Sequence, residues 1–252
     1  MKSNEWWMAM IGGFAFFAGS FACAQDAPPK ADDAPITADD KQLPGLTKLA
    51  KDYDLWMDAK RKLVVLDGKI CLREGTLELF ACPKGTKEHE SIVVVNCPPR
   101  LVHAALLAVG AKAGSPVKHD PKYVPASGPE VEVLVLWKDK DGKPQKVRAQ
   151  EWVRDVKTGK TLDTAWVFAG SRFWVDPDNG KQQYLADSGD LICVSNFPTA
   201  MLDLPINSSV EDAQRLFQAH TERIPALNTA VRLVLMPKIP AEKGDKPAEK
   251  KE

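Results

Sequence analysis

The chain's 252 residues suffice for one well-cored domain, and they set 34 lysines and arginines against 34 aspartates and glutamates. That balance excludes the basic footprint of a nucleic-acid binder or of a protein held on anionic lipid by charge. Apolar residues at 44% suit a globular core, and 19 prolines favour strands and loops over long helices.

The chain begins MKSNEWWMAMIGGFAFFAGSFACAQDAPP, with Lys2 ahead of an apolar stretch at 6–21 and Ala22-Cys23-Ala24 behind it. A charged start, an apolar middle and an A-x-A-like site mark residues 1–24 as a signal peptide or N-terminal anchor. Cleavage, retention as an anchor and lipidation at Cys23 are the three readings. Each puts the rest of the chain outside the cytoplasm: periplasmic, in the cell envelope or secreted. Membrane contact is expected only through this segment, if it stays uncleaved. Residues 25–45, rich in Ala, Asp and Pro, read as a disordered linker, and 238–252 as a disordered charged tail. A single domain at 46–237 remains.

Export admits disulfides among Cys71, Cys82, Cys97 and Cys193, and four thiols allow three pairings between which sequence does not choose. No C-x-x-C is present, so thioredoxin-like exchange and a zinc ribbon both lack their spacing.

In chain order, Leu46, Leu49, Ala50 and Tyr53 fit a short helical stripe. LWMD, KLVVLDG and the two halves of KICLREGTLELFACP read as strands. SIVVVNC is a strand buried on both faces, and Pro98-Pro99 then open a helix faced by Val102, Ala105, Leu106 and Val109. The proline-rich connection 111–129 has no regular pattern, and loops of that length serve as pocket edges or partner surfaces. EVEVLVLW follows as a strand, giving a strand–helix–strand run compatible with a right-handed crossover. AWVFAG, SRFWVD, KQQYLAD and DLICVSN supply further short strands, with a hairpin at Asp178-Asn179-Gly180. Ser209 and Asp212 resemble a capping box for a helix with Ala213, Leu216 and Phe217 inside, extended by His220. AVRLVLM closes the domain. The fold class expected is α+β: a mixed, mostly antiparallel sheet of short strands with about three helices packed on it.

GTKEHES, residues 85–91, is expected to be a solvated or structural hairpin turn, with a ligand or metal contact and catalysis as the alternatives. Read as the start of a strand, His89 and Ser91 share one face and Glu90 takes the other. A hydrolase-type enzyme would use His89 as base, Ser91 or Cys82 as nucleophile, and Asp187 or Asp190 to orient the imidazole. The triplet lacks the second histidine of H-E-x-x-H and the glycines of G-x-S-x-G. As a ligand contact it offers His89 and Glu90, with Arg172 suited to an anion by bidentate pairing. As a metal site, Cys82, His89 and Cys97 carry zinc-type donors at spacings unlike a compact finger. Zinc is the one cofactor these residues invite; otherwise none is expected. Gly159-Lys160-Thr161 mimics the end of a phosphate loop, but Arg154 stands where that motif needs glycine.

TLELFACPKGTKEHESIVVV, LVHAALLAVGAK-G, VRAQEWV, WVFAGSRF and DLICVSNFPTAMLDLP together resemble the YdjY-domain family of bacteria, found in planctomycete-like exported proteins. The likeness spans roughly residues 54–236, and GTKEHES is its most specific part. It implies one exported domain and supplies no catalytic assignment. The family's name is linked to a ferredoxin-like protein, yet this chain has no C-x₂-C-x₂-C run for an iron–sulfur cluster.

The function expected is therefore that of an exported cell-envelope domain, a non-enzymatic binding or interaction module for a small ligand or an envelope partner. Nucleic acid is not among its expected partners. The hydrolase and the metal-binding protein stand as alternatives.

Overall fold

The computed structural model describes residues 45–208 and 217–239. The expected signal peptide or anchor, nearly all of the expected linker and tail, and the expected capping box at Ser209 lie outside those residues. Among the described residues no helix is long and apolar enough to cross a membrane.

The chain forms strands β1 (Thr47–Lys48), β2 (Leu55–Asp58), β3 (Leu63–Ile70), β4 (Leu79–Pro83) and β5 (Ser91–Val95), then helix α1 (Pro99–Ala108). There follow β6 (Glu130–Lys138), β7 (Pro144–Arg148), β8 (Val153–Asp155), β9 (Trp166–Phe168), β10 (Phe173–Val175) and β11 (Gln182–Tyr184). The last are β12 (Ile192–Cys193), β13 (Leu202–Asp203), β14 (Phe217–Ala219) and β15 (Ala230–Pro237).

Eight of these strands close on themselves in the order β3-β15-β6-β9-β13-β12-β4-β5, and β5 pairs back to β3. Period-two alternation decides what faces inward. Val64, Leu66 and Ile70 of β3, Val231, Leu233 and Leu235 of β15, and Val131, Val133 and Val135 of β6 are all buried in one cluster. The barrel interior is thus a packed core of branched side chains. The opposite faces are also apolar in places because a second layer covers them. Leu63 and Val65 meet Leu136 and Val234, with Trp56 of β2 laid against them.

Closure depends on β3 changing partners along one edge. Its first half pairs with β2, Leu66 opposite Leu55, and its last residues pair with β5, Gly68 opposite Val95. A Cβ at Gly68 would lie 2.5 Å from the Val94 carbonyl oxygen and 3.0 Å from a Val95 methyl. Only glycine lets the two backbones approach so closely at the seam.

This architecture corrects the α+β expectation: the domain is a closed, mostly β barrel, and α1 is its sole α-helix among the described residues. The stripe at Leu46, Leu49 and Tyr53 is not a helix, because Thr47 and Lys48 pair with Met57 and Trp56 of β2. A cross-strand ladder outweighs a helical spacing that a short apolar run satisfies by chance. The described end of the third expected helix, Phe217–Ala219, is a strand on β8. The expected crossover from β5 through α1 to β6 is not one either, since the pairings β5–β3, β3–β15 and β15–β6 are each antiparallel and the two strands run in opposite directions. The 111–129 connection is a bridged excursion, with Ser115 facing Ser127 and Lys118 facing Val124.

Candidate functional site

GTKEHES folds as the turn expected of it, ahead of the strand. Glu88–Glu90 make one 3₁₀ turn and β5 begins at Ser91. In such a turn residues three apart share a side, so Lys87 and Glu90 point the same way and His89 points out. The Lys87 ammonium lies 3.1 Å from Asp190 Oδ1, and 3.7 Å from both Glu78 Oε2 and Glu90 Oε1. It also sits 4.1 Å from the centre of the Phe197 ring. Gly189 leaves room for the lysine stem, since a Cβ there would meet its carbons at 2.9 Å.

Three chain segments therefore meet on one cation. Glu78 comes from the entry to β4, Lys87 and Glu90 from the turn, and Asp190 from the approach to β12. Backbone bonds lock them together: Glu78 N donates to Glu90 O at 3.2 Å, and Val194 N to Glu78 O at 2.8 Å. Burial opposes the lysine charge, yet Asp190 first, then Glu90 and Glu78, hold Lys87 above its ordinary value. Burial, then the hydrogen bond and charge of Glu78, push the Glu90 carboxyl up.

Behind the cage stands a further buried acid. Asp203 is pushed up to about 7, chiefly by burial and also by the Asp190 charge, against bonds from Asn196 and the Leu204 amide. Its Oδ2 makes no well-formed hydrogen bond. Asn196 is saturated: its amide donates to Asp203 Oδ1 and Leu204 O, each at 3.1 Å, and its oxygen accepts from Ser208 N at 2.9 Å and the Tyr123 hydroxyl at 3.3 Å. Tyr123 belongs to the 111–129 excursion, which is thereby pinned to this hub.

Thr199 links the cage to the surface. Its hydroxyl donates to Asp190 Oδ2. The same residue lines an open cleft of about 520 Å³ with Arg100, Gln182, Gln183, Asp187 and Ser188. Arg100, in the first turn of α1, bonds Asp187 twice, through Nη1 at 2.5 Å and its backbone N at 3.0 Å. Gln182 and Gln183 come from β11, opposite Val175 and Trp174 of β10, both exposed.

The residues expected to act are scattered among these roles. His89 is 77% exposed, and its nearest charged neighbour is Glu90 at 3.9 Å. Ser91 is fully buried. Asp190 belongs to the Lys87 cage and Asp187 to the Arg100 pair. Arg172 is exposed at the foot of the β10–β11 hairpin. Of the zinc-type donors, Cys82 is buried beside Cys71, while Cys97 turns its thiol to Pro98 O at 3.7 Å, and burial pushes that thiol up to about 12. No group of three or more His, Cys, Asp or Glu side chains among the described residues is placed to hold one metal ion. His103 bonds the Tyr184 hydroxyl at 2.8 Å, and that hydroxyl donates to Gly170 O.

Sequence reasoning missed Lys87, Glu78, Thr199 and Arg100. The lysine was inside the quoted motif, and reading KEHE with a three-residue period instead of two pairs it with Glu90. Glu78 and Thr199 carry no such local signal, because only the closed sheet brings them to the turn.

The sequence profile of the YdjY domain matches residues 55–236. Neither a curated protein nor a solved structure matches the chain.

Proposed function

The chain belongs to the YdjY-domain family, and from that premise we propose that it is an exported cell-envelope domain acting as a non-enzymatic binding module for a small polar ligand. The observation that carries this reading is the position of Thr199, which lines the cleft and bonds the buried Asp190 at once. A ligand in the cleft meets amides, hydroxyls and a guanidinium–carboxylate pair on one side, and the exposed β10 hairpin on the other. Groups of this kind orient a molecule rich in hydroxyl or amide groups, and the Lys87 cage behind Thr199 holds the wall rigid.

The test is a thermal-shift and calorimetric screen of the purified domain against monosaccharides, amino acids and short peptides. A ligand that stabilises the wild type and loses affinity in Thr199→Val and Arg100→Ala supports the reading. Turnover of an ester, peptide or phosphate substrate that vanishes in His89→Ala defeats it. Export is tested separately, by fractionating cells that express the full chain and sequencing the N-terminus of the recovered protein.

A further inference from the structure

Residues 172–176 read Arg-Phe-Trp-Val-Asp, the apolar strand β10 with opposite charges at its two ends. Phe173 and Val175 are each 56% exposed and Trp174 is 44% exposed. Successive side chains of a strand take opposite faces, so both faces of β10 stand in water. The other exposed large apolar side chains among the described residues stand singly in the chain, which is ordinary for a protein surface. An unbroken exposed run such as Phe173–Val175 is not.

Only one edge of β10 is paired. The Asp176 amide donates to Lys181 O and the Leu185 amide to Arg172 O, each at 2.9 Å. Hydrogen-bonded positions alternate along an antiparallel pair, so Trp174, opposite Gln183, also bonds toward β11. The amides and carbonyls of Phe173 and Val175 therefore point to the other edge, where β10 has no partner strand among the described residues. Proteins commonly blunt such an edge with a charge or a proline, and neither interrupts Phe173–Val175.

The open edge is complementary to itself. Laid antiparallel about a two-fold axis at Trp174, Phe173 faces Val175 of a second copy, and both residues present their backbone groups outward. Each such pair exchanges both of its hydrogen bonds, whereas a slip by one residue sets an outward group against an inward one. The same register puts Arg172 opposite Asp176 of the second copy at either end, in the positions where cross-strand side chains lie closest. Arg172 is exposed and has no ion pair among the described residues. Asp176 accepts from Asp178 N at 2.9 Å and from the Asn179 amide at 2.6 Å, which holds the carboxylate in place and leaves acceptor sites over. We propose that β10 is a self-association edge, through which two copies of this chain join their two-stranded β10–β11 ribbons into one continuous sheet. Such an isologous contact closes on a dimer. The contact is short, so the association is of the weak class, and its exposed ion pairs make it weaker in salt.

The experiment is sedimentation equilibrium of the purified full chain from about 10 μM to about 1 mM, the range that weak pairs span. Wild type should show a monomer–dimer equilibrium. Arg172→Glu, a change at an exposed side chain, sets like charges opposite each other at both ends and should raise the dissociation constant at least about tenfold. Val175→Pro removes an outward amide, spares the bonds to β11 and should leave a monomer. Trp174→Cys should cross-link to itself between copies under mild oxidation, because facing non-hydrogen-bonded residues stand about 4.5 Å apart at Cα, within disulfide reach. Thr158→Cys, exposed on a different turn, should not. A monomer throughout the range, or a dimer unmoved by both Val175→Pro and Arg172→Glu, overturns the proposal. So does a Trp174→Cys cross-link no faster than that of Thr158→Cys.

Discussion

Lys87 and Asp190, more than a hundred positions apart in the chain, meet at 3.1 Å, and the contact fastens the GTKEHES turn to the strand on the far side of β4. Asp190 is 5% exposed at its side chain and the lysine 25%. Glu78 and Glu90 add charge of the same sign as Asp190, so the cation neutralises three segments at once. Removing it takes from Asp190 the cation that lies 3.1 Å away in a poorly solvated place.

Lys87→Met should therefore cost about 3 kcal/mol of unfolding free energy at pH 7, the scale for breaking one side of a buried pair. The loss should shrink at pH 5, where Glu90, already pushed up by burial and by Glu78, can take up a proton. Urea unfolding at both pH values measures it.

Asp203 gives a pH dependence of definite sign. Its folded value, about 7, is above the ordinary 3.8, so the folded chain holds a proton that the unfolded chain has released. Its contribution is full below pH 4 and is lost as pH rises through 7, with a slope of up to about 1.4 kcal/mol per unit. Asp203→Asn keeps the shape and removes the proton. Relative to wild type it should gain stability on going from pH 5 to pH 8, read from urea midpoints. An unchanged difference across that range would show that Asp203 does not titrate there.

Gly68→Ala should cost about 1–3 kcal/mol, the range for overpacking a filled site. The added methyl meets the Val94 carbonyl oxygen at the point where β3 passes from β2 to β5. Hydrogen exchange should show the loss concentrated in the β3–β5 ladder.

Arg100 and Asp187 separate charge from capping. The pair is exposed on the arginine side, so Arg100→Ala should cost less than about 1 kcal/mol. Asp187→Ala also takes away the acceptor for an amide in the first turn of α1 and should cost about 1 kcal/mol more. Thermal melts of the two variants compare them.

Much of the strand inventory was legible because β-branched runs such as SIVVV and EVEVLVLW leave little alternative. The α1 helix was legible too, from Pro98-Pro99 and the Val102–Ala105–Leu106 face. Closure was not. It rests on β3 pairing with both β2 and β5 along one edge, and on two-residue strands, Ile192–Cys193 and Leu202–Asp203, too short to show any period. The candidate site was half legible. The motif pointed to the right turn, but a two-residue period brought His89 and Ser91 forward and hid Lys87.

The most direct test of the binding reading is a titration of wild type and Thr199→Val with the ligand class that raises the wild-type melting temperature, run beside a turnover assay. The account expects saturable binding in the wild type, weakened at least tenfold in Thr199→Val and in Arg100→Ala, with His89→Ala binding as wild type does and no product formed by any of them. Product formation that disappears in His89→Ala, or binding indifferent to both Thr199 and Arg100, would contradict it.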